Sequence, residues 1–256
     1  MKGRSLRLCL WEGNEVPKKI DILGVKVDPV TMEEAVAQVE TYMDEMCGVL
    51  VATANAEMIM RATHDHELMK ILNNAALVVP DGAGTVWAAH HLGHEMPERV
   101  AGYDLAQELM RRAPKKKRRI FFFGSAPGVA ELAKKKAESL YPGIEIVGTR
   151  NGFFSEKDEP GIIEEIRKAK PDLLLAALGV PKQEKWLYAH KDELGVPVSI
   201  GVGGTLDVMA GVMKRAPRWM QKAKLEWLFR GMLQPKRAGR LMALPKFVLK
   251  VHHAKK

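Results

Sequence analysis

Short, continuously apolar segments alternate regularly with amphipathic helical segments along this chain, and this alternation narrows the possible folds more than any other feature. The apolar runs include GVLVATAN, ALVVP, RIFFFG, IEIVGT, DLLLAALG and VPVSIGVG, and helix-like stretches such as VAELAKKKAESL and GIIEEIRKA fall between them. Continuously apolar strands are typical of sheets covered on both faces, and parallel strands require crossover helices. The pattern therefore predicts an α/β fold, a Rossmann-like, mostly parallel sheet with helices on both faces.

Local signals add detail at the start of this pattern. Thr31 and Glu34 have the T-x-x-E spacing of a capping box and predict a helix that begins after Thr31. The preceding segment, KIDILGVKV, predicts a strand, and one helix is expected from about Ala56 to Leu72.

Charge divides the chain. Residues from Lys214 onward carry 13 Lys and Arg but a single acidic residue, Glu226, whereas the rest carries 27 basic and 30 acidic residues. We predict a disordered N-terminal extension (1–18), a Rossmann-like domain (19–213) and a basic, helical C-terminal appendage (214–256).

The sequence has two cysteines, Cys9 and Cys47, which are too few for a scaffold held together by disulfides. No apolar run approaches the ~20 residues that a membrane-spanning helix needs.

The basic appendage suits an anionic membrane surface, a phosphorylated substrate or nucleic acid. Apolar residues interleave with its cations, which favours a membrane surface; they are Trp219, Trp227, Phe229, Leu241, Met242, Leu244, Phe247, Val248, Leu249 and Val251. A helix that docks its apolar face on the core is an equally good explanation before Pro235, and Pro245 is expected to interrupt any continuous helix. The part of the chain before Lys214 is nearly neutral and has no recognisable nucleic-acid-binding motif, which argues against nucleic acid as the partner.

Small and polar residues follow five of the predicted strands, where ligands bind in open parallel sheets. They are Thr53 and Asn55, Asp81-Gly82, Gly124-Ser125, Gly179 with the following PKQE, and Gly201 to Gly204 with Asp207. A single glycine at such a turn often only permits a tight connection. Several at one edge favour a phosphate-bearing ligand.

Common cofactor motifs are missing from the sequence. There is no G-x-G-x-x-G fingerprint, no Walker motif and no D-x-D pair, so we expect no resident cofactor and no metal site. A diphosphate would then need cationic side chains, for which Arg is well suited. His90, His91 and His94 form a ligand-like cluster, but solvated or satisfied histidines explain it better.

A set of segments in order resembles the WecG/TagA/CpsF glycosyltransferase family. They are TANAEMIM, VVPDGAGTVWAA, RVAGYDL, FFFGSAPGVAELA, YPGIEIVGTRNGFF, PDLLLAALGVPKQEKW, IGVGGTLDVMAG, RAPRWMQKAKLEWLFR and QPKRAGR, from about Ile20 to Arg240. The resemblance implies a cytoplasmic enzyme on the inner face of the cell membrane. It would transfer N-acetylmannosamine from a UDP-sugar, with inversion and without a metal, to the 4-hydroxyl of N-acetylglucosamine on undecaprenyl diphosphate, as in wall teichoic acid linkage-unit synthesis.

The resemblance also implies roles for individual residues. Asp81 would be the general base, with Thr53 and Gln183 beside it. Donor contacts would come from Asn55, Gly203, Gly204 and Asp207 and from the appendage arginines Arg230, Arg237 and Arg240, and Arg99 would meet the acceptor diphosphate. Without the resemblance, Asp81 as a turn or capping residue and Gln183 as a surface amide are nearly as well supported.

Other functions stay open. Within the family, the sugar is N-acetylmannosaminuronic acid or another hexose. From other classes, the chain is a nucleic-acid-binding protein that uses the basic appendage, or a nucleotide-dependent oxidoreductase, which the missing glycine fingerprint disfavours. A homo-oligomer is neither predicted nor excluded.

Overall fold

The computed structural model describes residues 18–217, 219–220, 226, 228–229 and 243–255. Its strands are β1 (Ile20–Ile22), β2 (Val25–Val27), β3 (Val49–Ala54), β4 (Leu77–Pro80), β5 (Arg119–Gly124), β6 (Glu145–Arg150), β7 (Leu173–Ala177) and β8 (Val198–Gly201). The last six form one parallel sheet in the order β4-β3-β8-β7-β5-β6.

Helices cover both faces of this sheet, which confirms the predicted fold class. One face carries β1 and β2 with α2 (Ala56–Ala62), α3 (His66–Asn74), α4 (Ala83–His91), α7 (Glu159–Ala169), α8 (Lys182–Leu194) and α10 (Ala243–Ala254). The other carries α1 (Met32–Asp44), α5 (Gly102–Lys116), α6 (Val129–Leu140) and α9 (Thr205–Met209). A 3₁₀ turn at Glu156–Asp158 precedes α7.

In β5, Phe121 and Phe123 pack into the first layer, whereas Phe122 packs into the second. Burial on both sides explains why the strand is apolar throughout.

The capping box at the start of α1 is confirmed. The Thr31 hydroxyl accepts a hydrogen bond from the Glu34 backbone N–H at 3.2 Å, and the Glu34 carboxylate accepts one from the Thr31 N–H at 2.8 Å. Both contacts satisfy N–H groups that a helix terminus otherwise leaves unpaired.

Two other local predictions were wrong. The segment KIDILGVKV is an antiparallel hairpin of β1 and β2 outside the main sheet, because Leu23 and Gly24 take left-handed φ angles of 54° and 91° that reverse the chain. The single helix expected from Ala56 to Leu72 is two helices, and Asp65 caps the second by accepting from the Leu68 N–H at 3.0 Å. Apolar periodicity continues across this break and therefore does not reveal it.

Helix α10 docks on the core. Phe247 and Val251 are fully buried, and the helix packs against α2 and α4. Pro245 was expected to interrupt a continuous helix, but it is the third residue of α10. In the first turn of a helix the missing N–H of proline removes no intrahelical hydrogen bond, so α10 continues past it. The outward side exposes Val248 and Leu249. In the part of the chain that the structure describes, no helix has both the length and the apolar character needed to span a membrane.

The division of the chain into 1–18, 19–213 and 214–256 stays a prediction. Residues 1–17 and most of 218–242 lie outside the described residues.

Candidate functional site

A cavity of about 230 Å³ opens at the carboxyl edge of the sheet. Residues that follow β3, β4 and β8 line it, as expected for ligand sites in open α/β sheets. The cavity brings together seven residues to which the resemblance assigns roles: Thr53, Asn55, Asp81, Arg99, Gln183, Gly203 and Gly204. Residues distant in sequence are thus joined at one site.

Asp81 follows β4 directly and has a fixed backbone. Its N–H donates to the Ala54 carbonyl at 3.0 Å, and its own carbonyl accepts from the Thr85 hydroxyl at 3.3 Å. Gly82 is the N-cap residue of α4 and has a φ of 90°, a conformation that favours glycine. The half-buried carboxylate is therefore held on a rigid strand end beside the cavity.

Thr53 and Asn55 are tied to the framework. Thr53 is buried and donates its hydroxyl hydrogen to the Gly201 carbonyl at 3.0 Å, which joins β3 to β8. Asn55 caps α2, since its Oδ1 accepts from the Met58 N–H at 3.0 Å. The Asn55 amide nitrogen has two further hydrogens that a ligand can accept.

Gln183 is a buried amide that joins two cavity loops, rather than the surface amide of the alternative interpretation. Its Oε1 accepts from the N–H groups of Gly179 and Gly203, each at 3.1 Å. Its Nε2 donates to Glu184 Oε1 at 2.7 Å. One Nε2 hydrogen remains for a ligand.

Glu184, which the sequence analysis did not single out, lies behind this amide. It is 0% exposed, and its Oε2 has no hydrogen-bond partner among the described residues. Burial raises the pKa of the Glu184 carboxyl to about 7. A Cβ on Gly201 would lie 2.6 Å from Gln183 Nε2 and 2.8 Å from Glu184 Oε1, so a larger residue there would displace these two side-chain ends. Sequence offers no signal for this packing beyond adjacency to Gln183.

Charged residues form a cluster at another wall of the cavity. Arg99 pairs with Glu226, and Arg215 makes two contacts of 2.8 Å with the Asp104 carboxylate. Arg215 and Glu226 both line the cavity, and neither was predicted as a site residue. The isolation of Glu226 within a basic segment was the one available signal for it.

Some predicted site residues do not line the cavity. Asp207 lies within α9, with a carboxylate oxygen near Gly204. The Gly124-Ser125 pair lies at the end of β5, two strands away from β8. Arg230, Arg237 and Arg240 lie outside the described residues.

The histidine cluster does not converge on one point. His90 Nε2 lies 3.2 Å from the Met96 carbonyl, whereas His91 stacks on Trp87 and lies 3.2 Å from His252 of α10. Within the described ranges, no three His, Cys, Asp or Glu residues are placed to hold a metal ion together.

Comparison with known proteins identifies the family of the chain. Residues 20–256 match the model of the family described as "Glycosyl transferase WecG/TagA/CpsF family". The chain is 34% identical over 240 residues to N-acetylglucosaminyldiphosphoundecaprenol N-acetyl-beta-D-mannosaminyltransferase from Staphylococcus aureus strains NCTC 8325 / PS 47 and COL, an alignment that covers 93% of this chain and 94% of each relative. The protein of the same name from strain MRSA252 is equally similar.

Proposed function

The chain belongs to the WecG/TagA/CpsF family of glycosyl transferases, and we propose that it transfers N-acetylmannosamine from a UDP-linked donor to the 4-hydroxyl of N-acetylglucosamine on undecaprenyl diphosphate. This is the step that builds the linkage unit of wall teichoic acid. The observation that carries the proposal is the cavity itself, which Asp81 lines together with Asn55, Arg99 and Gln183.

The proposed chemistry is a single displacement with inversion. The Asp81 carboxylate takes the proton of the acceptor hydroxyl as that oxygen attacks the anomeric carbon. The bond from this carbon to the UDP oxygen breaks, and negative charge develops on the departing diphosphate. Cationic side chains stabilise such charge most strongly in a site that excludes water. We propose Arg230, Arg237 and Arg240 for this role, and Arg99, which lines the cavity, for the acceptor diphosphate.

Gln183 and Asn55 are proposed to orient the donor sugar. Hydrogen bonds to backbone N–H groups fix each side-chain amide. An amide group that is already fixed loses little entropy when it donates a hydrogen bond to a ligand. Thr53 has given its hydroxyl hydrogen to Gly201, so its role toward a substrate is to accept a hydrogen bond. Gly203 and Gly204 let the chain approach a phosphate closely.

We expect acceptor-dependent release of UDP from UDP-N-acetylmannosamine in the presence of EDTA, measured with a short-chain prenyl diphosphate N-acetylglucosamine acceptor. UDP-N-acetylmannosaminuronic acid and UDP-N-acetylglucosamine, assayed in parallel, test the donor sugar. Faster release from either comparison donor would contradict the proposed sugar but not the reaction class. Absence of acceptor-dependent release from all three donors would contradict the proposed function.

We further propose that the outward side of α10 contacts an anionic membrane, where a lipid-linked acceptor resides. Val248 is 43% and Leu249 60% exposed; Lys246 is exposed on the same helix, and Lys255 is exposed directly after it. Apolar side chains flanked by cations suit a membrane interface.

Val248→Glu with Leu249→Glu is expected to weaken binding to anionic vesicles by roughly tenfold or more, because two interfacial apolar contacts become charges of the same sign as the lipid. Co-sedimentation with phosphatidylglycerol vesicles measures this. The matched control is Leu132→Glu with Leu140→Glu, a pair of exposed leucines on α6 across the sheet. Equal binding by the two double variants would exclude α10 as the membrane contact.

A further inference from the structure

The acidic residue of the basic appendage lies against two arginines of the cavity. Glu226 is the sole Asp or Glu between Lys214 and Lys256 in the sequence. Its carboxylate pairs with Arg99 and lies 3.4 Å from Arg215 Nε. All three residues line the cavity that contains Asp81.

Arg215 is held in place independently of Glu226. Its two terminal nitrogens each lie 2.8 Å from an oxygen of Asp104, and its guanidinium stacks over the Tyr103 ring at 4.4 Å. Its side chain is 23% exposed, so it is partly withdrawn from water. The Nε edge, which faces Glu226, is the part that these contacts leave for another anion.

A carboxylate and a phosphate present similar oxygens to a guanidinium, and Arg binds both through paired hydrogen bonds. Glu226 thus marks a position where an anion is bound by two arginines. With Glu226 in place, Arg99, Arg215, Asp104 and Glu226 have no net charge; without it, the remaining three have a net charge of +1.

We infer that Arg99 and Arg215 form a diphosphate subsite, which Glu226 fills in the unliganded protein and leaves when a diphosphate binds. The inference rests on the proposed function, because UDP-sugar and lipid-linked acceptor both carry a diphosphate, and it adds Arg215 and Glu226 to the binding residues.

Isothermal titration tests this with three probes: inorganic pyrophosphate, UDP and the short-chain prenyl diphosphate N-acetylglucosamine. Glu226→Gln keeps the shape but removes the competing charge, so it is expected to tighten pyrophosphate binding by about tenfold. Arg215→Lys is expected to weaken it by about tenfold, because an ammonium group lacks the planar fork. The nucleotide or lipid probe that shows the same two changes identifies the source of the diphosphate.

Glu98→Gln is the matched control. Glu98 is the neighbour of Arg99 in sequence and accepts a hydrogen bond from the Met32 N–H, but it does not line the cavity. Its affinities are expected to equal those of the wild type. If Glu226→Gln folds poorly, Glu226→Asp retains the charge on a shorter side chain and is expected to tighten binding to a smaller extent.

Unchanged or weaker pyrophosphate binding by the folded Glu226 variants would overturn the inference and leave Glu226 as a structural partner of Arg99 and Arg215. Failure to bind any of the probes would also overturn it. These titrations require no sugar transfer, so their outcome is separate from that of the UDP-release assay. Tight pyrophosphate binding by Glu226→Gln without any transfer would support the subsite while contradicting the proposed reaction.

Discussion

Asp81→Asn is expected to lower the rate of sugar transfer by about 10²- to 10⁴-fold, the usual contribution of a general base. The amide has the same size as the carboxylate but cannot accept the proton of the attacking hydroxyl. The backbone contacts of Asp81 with Ala54 and Thr85 do not involve the side chain, so the strand end should keep its shape. Rates with saturating donor and acceptor, together with UDP affinity by titration, measure the effect; UDP affinity is expected to change by no more than a few-fold.

Glu57 provides the comparison that makes this prediction specific. Glu57 lies in the first turn of α2 and, like Asp81, lines the cavity. Glu57→Gln is expected to affect kcat far less than Asp81→Asn. The shorter side chain of Asp81 keeps its carboxylate close to a fixed strand end, whereas the longer side chain of Glu57 positions its carboxylate less firmly. A larger loss in Glu57→Gln than in Asp81→Asn would move the base assignment to Glu57.

Glu184→Gln is expected to make the protein more stable than the wild type at pH 8, by about 3 kcal/mol. Burial raises the pKa of the folded-state carboxyl from 4.5 to about 7, and each unit of difference corresponds to about 1.4 kcal/mol. The folded state therefore holds the proton more tightly than the unfolded chain. The wild type loses this stability as the pH rises from about 4.5 through 7, and the loss is complete above the folded-state pKa.

Gln at position 184 has no proton to lose and retains an oxygen that can accept from Gln183 Nε2. Free energies of unfolding from urea titrations between pH 4.5 and 8 should thus converge at the acidic end and diverge at the basic end. Glu138→Gln, at a partly exposed carboxyl of α6 that pairs with Lys134, should show no such divergence. Parallel curves for wild type and Glu184→Gln would show that residue 184 is not the buried acid described above.

Much of the fold was predictable because its signals are local. The apolar run of β5 and the capping box of α1 each depend on residues close together in sequence, and burial of a continuous apolar run requires cover on both faces. The hairpin of β1 and β2 and the break at Asp65 escaped prediction for a related reason. A chain reversal at Leu23 and Gly24 leaves the apolar pattern of its flanks unchanged.

The candidate site was partly predictable by the same logic. Parallel strands end at one edge, so Thr53, Asn55 and Asp81 were expected together. Which strand ends are neighbours depends on the order β4-β3-β8-β7-β5-β6, which no local pattern encodes. The ends of β3, β4 and β8 share the cavity for this reason, whereas Gly124-Ser125 at the end of β5 does not line it.

By itself, the sequence determined the layered α/β class, the strand-end location of the site and the family resemblance, because hydrophobic periodicity and contiguous motifs are properties of neighbouring residues. Three properties follow from the three-dimensional packing alone: Gln183 is a buried link between two loops, Glu184 is a solvent-excluded acid, and Glu226 contacts Arg99 and Arg215. These properties depend on burial and on charge pairs between residues far apart in the chain. Both arise only when the sheet order and the packing of the appendage bring those residues into contact.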